Sequence, residues 1–289
     1  MMIRRRVWVI AAVALLLAGV VTAVVLVRTG VAPMTKARQT GWREARIREA
    51  LFAEVTPVKL ANCQLERFGE AHDGGYLMCA NLLSSVEAAY SYGIAGYDGW
   101  GCDISRKLGV SVHQYDCFDL RHPSCPGGDA VFHAECVGAQ PSSDEGRLFD
   151  TLRNQIARNG DAARRLVVKM DVEGAEWDSF LYAPDTVFEG IDQLQVEFHH
   201  VDEVRFVAAM QRVKQFFYIA HVHVNNVGCG PGVQPFPSSY FEVLFVSKRL
   251  GVPDPSGSAA GVSPLDAANN PGIPDCQIEI FSSPSLTRR

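Results

Sequence analysis

The chain has 289 residues, a net charge of -5, and 47% apolar against 20% charged residues. That length suits one large domain or two small ones. The mild acidity excludes the basic footprint of a nucleic-acid-binding protein.

Arg4, Arg5 and Arg6 precede an apolar run over 7–27, interrupted only by Gly19 and Thr22 and closed by Arg28. About 20 apolar residues span the hydrocarbon core of a bilayer as a helix. The run exceeds the usual apolar core of a cleaved signal peptide, and Leu26, Val27 and Arg28 stand where a small-residue cleavage site would lie. It therefore reads as a signal-anchor behind a basic tail, 1–6. The three arginines favour a cytosolic N-terminus and a lumenal or extracytoplasmic domain. Arg28, Lys36, Arg38, Arg43, Arg46 and Arg48 on the far side weaken that bias.

A stalk follows over 28–62, with helical spacing from Trp42 to Glu54 that Pro57 ends. From 63 to 249, short apolar runs alternate with helical stretches, the pattern of βαβ units around a mostly parallel sheet. Strands are predicted at 88–94, 111–116, 130–137, 166–171, 193–199, 217–224 and 241–247, and helices at 100–108, 145–158, 177–181 and 203–215. From 250 to 289 the composition turns to Pro, Gly, Ser and Asn and reads as a low-complexity tail with little to bury. Eight cysteines without a Cys-x-x-Cys pair argue against a zinc ribbon. Behind an export signal they permit disulfides, and Cys63 with Cys79 and Cys117 with Cys125 are the first pairs to test, buried free thiols being the alternative.

The candidate site residues lie where predicted strands end, the edge at which α/β sheets bind ligands. After the first strand come Gly93, Ala95 and Gly96, small residues that let backbone approach a ligand. The second strand ends in Asp116, placed to accept hydrogen bonds from ribose hydroxyls or to cap the next loop. The fourth ends in Lys-Met-Asp171-Val-Glu173-Gly-Ala-Glu176-Trp. Three carboxylates this close must meet a cation, a metal, a ligand or a helix N-terminus. Glu176 suits the first helical turn. In the next strand Glu197 and His199 share a face by alternation, a pair fit for metal ligation or general-base work. His221, His223 and Asn225 share a face further on, while His113 reads as packing. Upstream, Arg67 offers a bidentate fork for a carboxylate, and Asp73-Gly74-Gly75-Tyr76 is turn chemistry.

Taken in chain order, Arg67–Gly69 with Asp73–Tyr76, Tyr90–Ile94, the segment 112–117, Lys169–Trp177, Glu197–His199 and His223–Asn226 resemble the FkbM-type family of S-adenosylmethionine-dependent methyltransferases, in its membrane-anchored branch. The resemblance covers about 63–248. It implies an α/β, Rossmann-like class I methyltransferase fold: seven mostly parallel strands with helices on both faces, here preceded by one transmembrane helix. It implies donor binding by Gly93, Ala95, Gly96, Asp116, Asp73 and Gly74, with Asp171 closing the site. The reaction implied is O-methylation of a sugar, glycan or small-molecule hydroxyl, with His199 as base, His223 as second candidate, and Asp171 with Glu197 holding a divalent cation such as Mg. One departure stands out: the family pattern puts Glu after the aromatic residue that follows the glycine turn, and here Trp100 is followed by Gly101. Either Asp98 or Asp103 is then expected to compensate, or donor affinity is expected to be weak. The rivals are a membrane-anchored, metal-dependent glycosyltransferase reading Asp171-Val172-Glu173 as its metal motif, and a catalytically degenerate, anchored interaction domain. An NAD-dependent oxidoreductase is weaker, since no Tyr-x-x-x-Lys occurs.

Overall fold

The computed structural model describes residues 36–256 and 263–276. The apolar run 7–27 lies outside the described residues, among which no helix is long and apolar enough to cross a membrane. The chain divides into two units, 1–44 and 45–289. Helix α1 (Lys36–Glu54) crosses the division, and Leu51 near its end is wholly buried in the core of the second unit.

That unit begins with a hairpin of β1 (Leu65–Gly69) and β2 (Gly75–Cys79). The chain then enters the main sheet at β3 (Ala88–Tyr92), crosses α2 (Gly99–Leu108) and returns as β4 (Ser111–Tyr115) and β5 (Asp129–His133). A small three-stranded sheet follows, of β6 (Cys136–Val137), β7 (Ser142–Asp144) and β8 (Arg147–Asp150). Next come α3 (Leu152–Arg158), β9 (Leu166–Met170), α4 (Glu176–Leu181), α5 (Asp185–Gly190) and β10 (Ile191–His199). Helix α6 (Val204–Phe216), β11 (Phe217–Val224) and β12 (Tyr240–Ser247) complete the sheet.

The seven strands lie in the order β11-β12-β10-β9-β3-β4-β5. All pairs are parallel except those of β12, which runs against both neighbours. The fold is thus α/β, with a mixed, mostly parallel seven-stranded sheet. Its central strands are buried on both faces, which is why β9 reads Leu-Val-Val-Lys-Met without polar alternation. Alternate side chains feed two cores. Tyr90, Val168 and Val196 face α3, α4 and α6 through Ile156, Trp177, Phe180, Phe206 and Met210. Ala89, Val112 and Val167 face α2 and the hairpin through Trp100, Ile104, Phe68 and Met78.

Several expectations are corrected. Residues 145–158 are not one helix. Glu145 and Gly146 both have positive φ, 47° and 82°, and form a two-residue hairpin turn between β7 and β8. Only Leu152–Arg158 is helical, with Thr151 capping through the Asn154 amide. The strand expected at 130–137 splits between two sheets at β5 and β6. Residues 263–276 are no loose tail: Asp266 bonds His221 at 2.8 Å, and Asn226 donates to the carbonyls of Asn270 and Ile273.

All eight cysteines pair. Cys63 joins Cys79 as expected, but Cys117 joins Cys136, not Cys125, which reaches Cys102 on α2; Cys229 joins Cys276 and ties down the strap 263–276. Closure of loops this long stabilises by about 3–4 kcal/mol each in the chain-entropy picture. Peptide mapping without reduction is expected to recover the Cys117–Cys136 and Cys102–Cys125 cross-links and no alkylatable thiol. Recovery of a Cys117–Cys125 peptide contradicts this arrangement.

Candidate active site at the strand edge

The site is built where the chain reverses direction across the sheet. From β3 it moves outward to β4 and β5, then crosses back to β9 and β10. The crevice at such a switch point is where open α/β sheets bind ligands. Gly93 sits there with φ 72°, its amide donating to Tyr115 O at 2.9 Å. A Cβ on Gly93 would stand 1.6 Å from the carbonyl oxygen of Asp171, so only glycine fits. Ala95 and Gly96 also have positive φ, 47° and 75°.

Asp116 fastens this turn. Its Oδ2 accepts from the amides of Ile94 and Ala95 at 3.0 and 2.8 Å, and its Oδ1 from those of Phe118 and Asp119 at 2.9 and 3.0 Å. A carboxylate has about four acceptor positions, so Asp116 is filled by backbone. It shapes the cavity as a brace, and a ribose contact would have to displace an amide. Gly74 lies at the β1–β2 turn, φ 79°, and is not among the cavity's lining residues, although Asp73 before it is. Gly96 is walled off by Asp119 and Arg121.

Asp171 is surrounded by groups from three elements. Tyr76 of β2 donates to its Oδ2 at 3.1 Å, Lys169 Nζ of β9 lies 3.6 Å from the same oxygen, and His199 Nε2 at the end of β10 lies 3.7 Å from Oδ1. Burial, followed by the charge of Asp171, holds the Tyr76 phenol well above its usual range, so it donates as a neutral hydroxyl. Lys169 donates to the carbonyls of Tyr92 and Gly93 at 3.1 and 2.7 Å, locking the end of β3. Glu173 is held at φ 56° with its carboxylate in solvent, 3.4 Å from His199 Nε2.

His199 is buried and held from behind by Glu176, which accepts from its amide at 2.7 Å and lies 3.2 Å from Nδ1. Burial lowers the imidazole pKa, but the hydrogen bond to Glu176 and the charges of Glu176, Asp171 and Glu173 outweigh it, and the net shift is upward. Glu176 does occupy the first turn of α4 and accepts from the Gly174 amide at 2.8 Å. Its second oxygen makes it more than a helix cap.

The expected metal pair is corrected. Asp171, Glu173 and His199 each offer a donor atom, all within 4.8 Å of one another, and Glu197 is not in that group. Glu197 instead lies in register with Glu242, which lies in register with His223. Burial, then the charges of Asp171 and Glu242, pushes the Glu197 carboxyl well up, and Asn225 donates to it at 2.7 Å. His223 lies beside Glu242 in this buried row; among the described residues neither ring nitrogen has a hydrogen-bond partner, and Asp266 Oδ1 lies 3.8 Å from Nδ1. Among the described residues Arg67 meets no carboxylate in a hydrogen bond: it donates to the carbonyls of Gly75 and Leu265 and joins hairpin to strap.

Gly101 has a packing reason. A Cβ there would lie 2.1 Å from Asp98 Oδ2, which is fixed by Gln114, while Oδ1 accepts from the Gly101 amide. Asp103 accepts from Gly69 N at 3.0 Å. Both are structural, and the cavity takes its carboxylates elsewhere.

That cavity, about 410 Å³, is lined by Gly93, Ala95, Cys117, Phe118, Val137 and Phe149 together with Asp73, Asp116, Asp119, Glu135, Asp171 and Glu173. Six of its lining residues are acidic and none is basic. Tyr76, Lys169 and Glu173 were legible only as members of motifs, without roles, because their partners lie on other elements.

No family model and no curated protein matches the chain. Among solved structures, a fibrillarin pre-rRNA processing protein of Methanococcus jannaschii is similar at a TM-score of 0.34 and 9% identity, over 58% of this chain and 69% of that one.

Gly93→Ala is expected to cost about 3 kcal/mol, strain and overlap together, in urea unfolding. Gly109→Ala is the control. Gly109 also has positive φ, 70°, but open space around it, so strain alone should cost about 1 kcal/mol. Equal losses would show that the approach of Asp171 is not what demands glycine.

Proposed function

We propose that the protein is an S-adenosylmethionine-dependent O-methyltransferase acting on a hydroxyl of a sugar, glycan or small molecule, and that the motif resemblance to the FkbM-type family reflects this. The observation that carries the reading is the acid-lined cavity at the switch point. A sulfonium donor is cationic and bears ribose hydroxyls, so it fits a wall of carboxylates. A dinucleotide or nucleotide sugar brings phosphates, for which the lining offers no basic side chain. The apolar end at Phe118, Val137 and Phe149 suits a purine, and Asp73, Asp171 and Glu173 suit the charged end.

When bound, the donor supplies an already activated methyl group, so the protein has mainly to align acceptor and donor and remove a proton. His199 Nε2 faces the carboxylates of Asp171 and Glu173 and accepts the hydroxyl proton of the acceptor. Asp171, steadied by Tyr76 and Lys169, holds negative charge at that point. His223, buried in the polar row, is not needed. The four disulfides support an oxidising, extracytoplasmic compartment, in keeping with an N-terminal anchor and a membrane-bound enzyme.

Titration calorimetry of the purified protein is expected to show binding of S-adenosylmethionine and none of nucleotide sugars; the reverse result replaces this reading with a glycosyltransferase, and no binding of either leaves an interaction domain. Asp116→Ala should lose donor binding as the turn opens. His199→Ala should keep it and lose about 10²–10⁴ in turnover; normal turnover would remove His199 as the base.

A second reading of the same groups follows from their spacing: Asp171, Glu173 and His199 fit a divalent cation, mixed oxygen and nitrogen donors being suited to one. A cation there would acidify the acceptor hydroxyl, with His199 a ligand in place of a base. Dialysis against EDTA separates the two. Unchanged turnover supports the base, and loss restored by Mg or Mn supports the cation.

A further inference from the structure

We infer that Glu176 is a positioning residue for His199: it fixes the ring so that Nδ1 carries the proton and Nε2 turns its lone pair toward Asp171 and Glu173. The inference rests on the reading of His199 as the base. Three observations carry it. First, Glu176 is fully buried, although it sits on a short helix at the edge of the sheet. A buried carboxylate needs strong partners, and it has three: the amide of Gly174 at Oε2, and the amide and Nδ1 of His199 at Oε1. A helix cap requires only the first.

Second, the histidine is clamped at every other polar atom of its backbone and inner ring edge. The next residue of the helix, Trp177, donates its indole N–H to the His199 carbonyl at 2.6 Å. Trp177 is itself fixed between Phe198 and Phe206, with ring centroids 4.2 and 4.4 Å away. One helical turn thus grips both ends of the His199 peptide unit and its Nδ1.

Third, the outward face is left wanting a donor. With the proton on Nδ1, Nε2 is an acceptor, and its neighbours are carboxylate oxygens at 3.4 and 3.7 Å. Three acceptors around one point call for a group that brings a proton, and an acceptor hydroxyl is such a group. Carboxylates that orient a metal-ligating histidine through its other nitrogen typically matter by 10–100-fold, and the same scale is expected where the histidine is a base.

The test is a double-mutant cycle on the full-length enzyme. Glu176→Leu should lower kcat by about ten- to a hundredfold while leaving donor affinity and the acceptor KM nearly unchanged. Glu176→Gln, which keeps one oxygen, should fall in between and carries the test if the leucine variant does not fold. In a His199→Ala background neither substitution should lower kcat further, since residues acting as a unit are not additive. A full additional loss there overturns the proposal, because a purely structural role adds independently. Imidazole ¹⁵N shifts give a readout that does not depend on turnover: the proton should reside on Nδ1 in the wild type and distribute over both nitrogens in Glu176→Leu. An unchanged tautomer in that variant also overturns it. If His199→Ala turns over normally, the base reading falls by itself, and the shifts still decide what Glu176 does.

Discussion

The backbone of Asp171 passes so close to the end of β3 that no side chain can stand at Gly93. This approach sets the geometry of the whole edge. It draws the Asp171 amide onto the carbonyl of Tyr92 at 3.1 Å, while the Gly93 amide turns to Tyr115 on the other side. Three strands are thereby joined one residue beyond their regular pairing. Lys169 closes the same junction from below by taking the carbonyls of Tyr92 and Gly93. The turn that follows has nowhere to go but outward, and Asp116 holds it there with four amide contacts. The cavity is the space this leaves.

The face of the sheet beneath the hairpin is unusual for an interior. Ser91, Lys169 and Gln195 stand in register on β3, β9 and β10, and Glu197, Glu242 and His223 stand in register on β10, β12 and β11. Burying such rows costs several kcal/mol unless each group is paired. The strap 263–276 supplies much of the pairing: Asn269 donates to Glu242 and to Asp73, and Asp266 bonds His221. The Cys229–Cys276 bridge holds the strap in place. A segment whose two large apolar side chains, Leu265 and Ile273, are exposed therefore docks through polar contacts, which explains why composition alone reads it as unfolded.

The main-sheet strands were legible because their apolar, β-branched runs end in polar residues: the observed β11 matches expectation, and β3, β4, β9, β10 and β12 differ by a residue or two at their ends. The hairpins were not. Glu145-Gly146 lacks the Asn-Gly or Asp-Gly signal, and Glu145 adopts positive φ because the strands beside it close the turn. At the site, alternation correctly placed Glu197 and His199 on one face, yet it could not tell which would reach Asp171. His199 does, whereas Glu197 turns to Asn225. Sequence spacing likewise ties Glu176 to its own helix, and only the fold brings it onto a strand 23 residues away. Disulfide partners obey the same limit: Cys117 and Cys136 meet because they follow the paired ends of β4 and β5.

The chemistry of the cavity narrows what can fill it. Of its six acids, Asp119 is paired with Arg121 and Glu135 with Arg158, and Asp116 is taken by amides. Asp171 and Glu173 turn oxygens toward His199, 3.7 and 3.4 Å from its Nε2. A ligand entering here must bring either positive charge or a hydrogen to share. A sulfonium meets the first need and an acceptor hydroxyl the second. A diphosphate meets neither, and would add negative charge to a wall already holding it. On the proposed reading the acceptor proton would arrive at His199, and Asp171 and Glu173 beside its Nε2 would stabilise the imidazolium once formed.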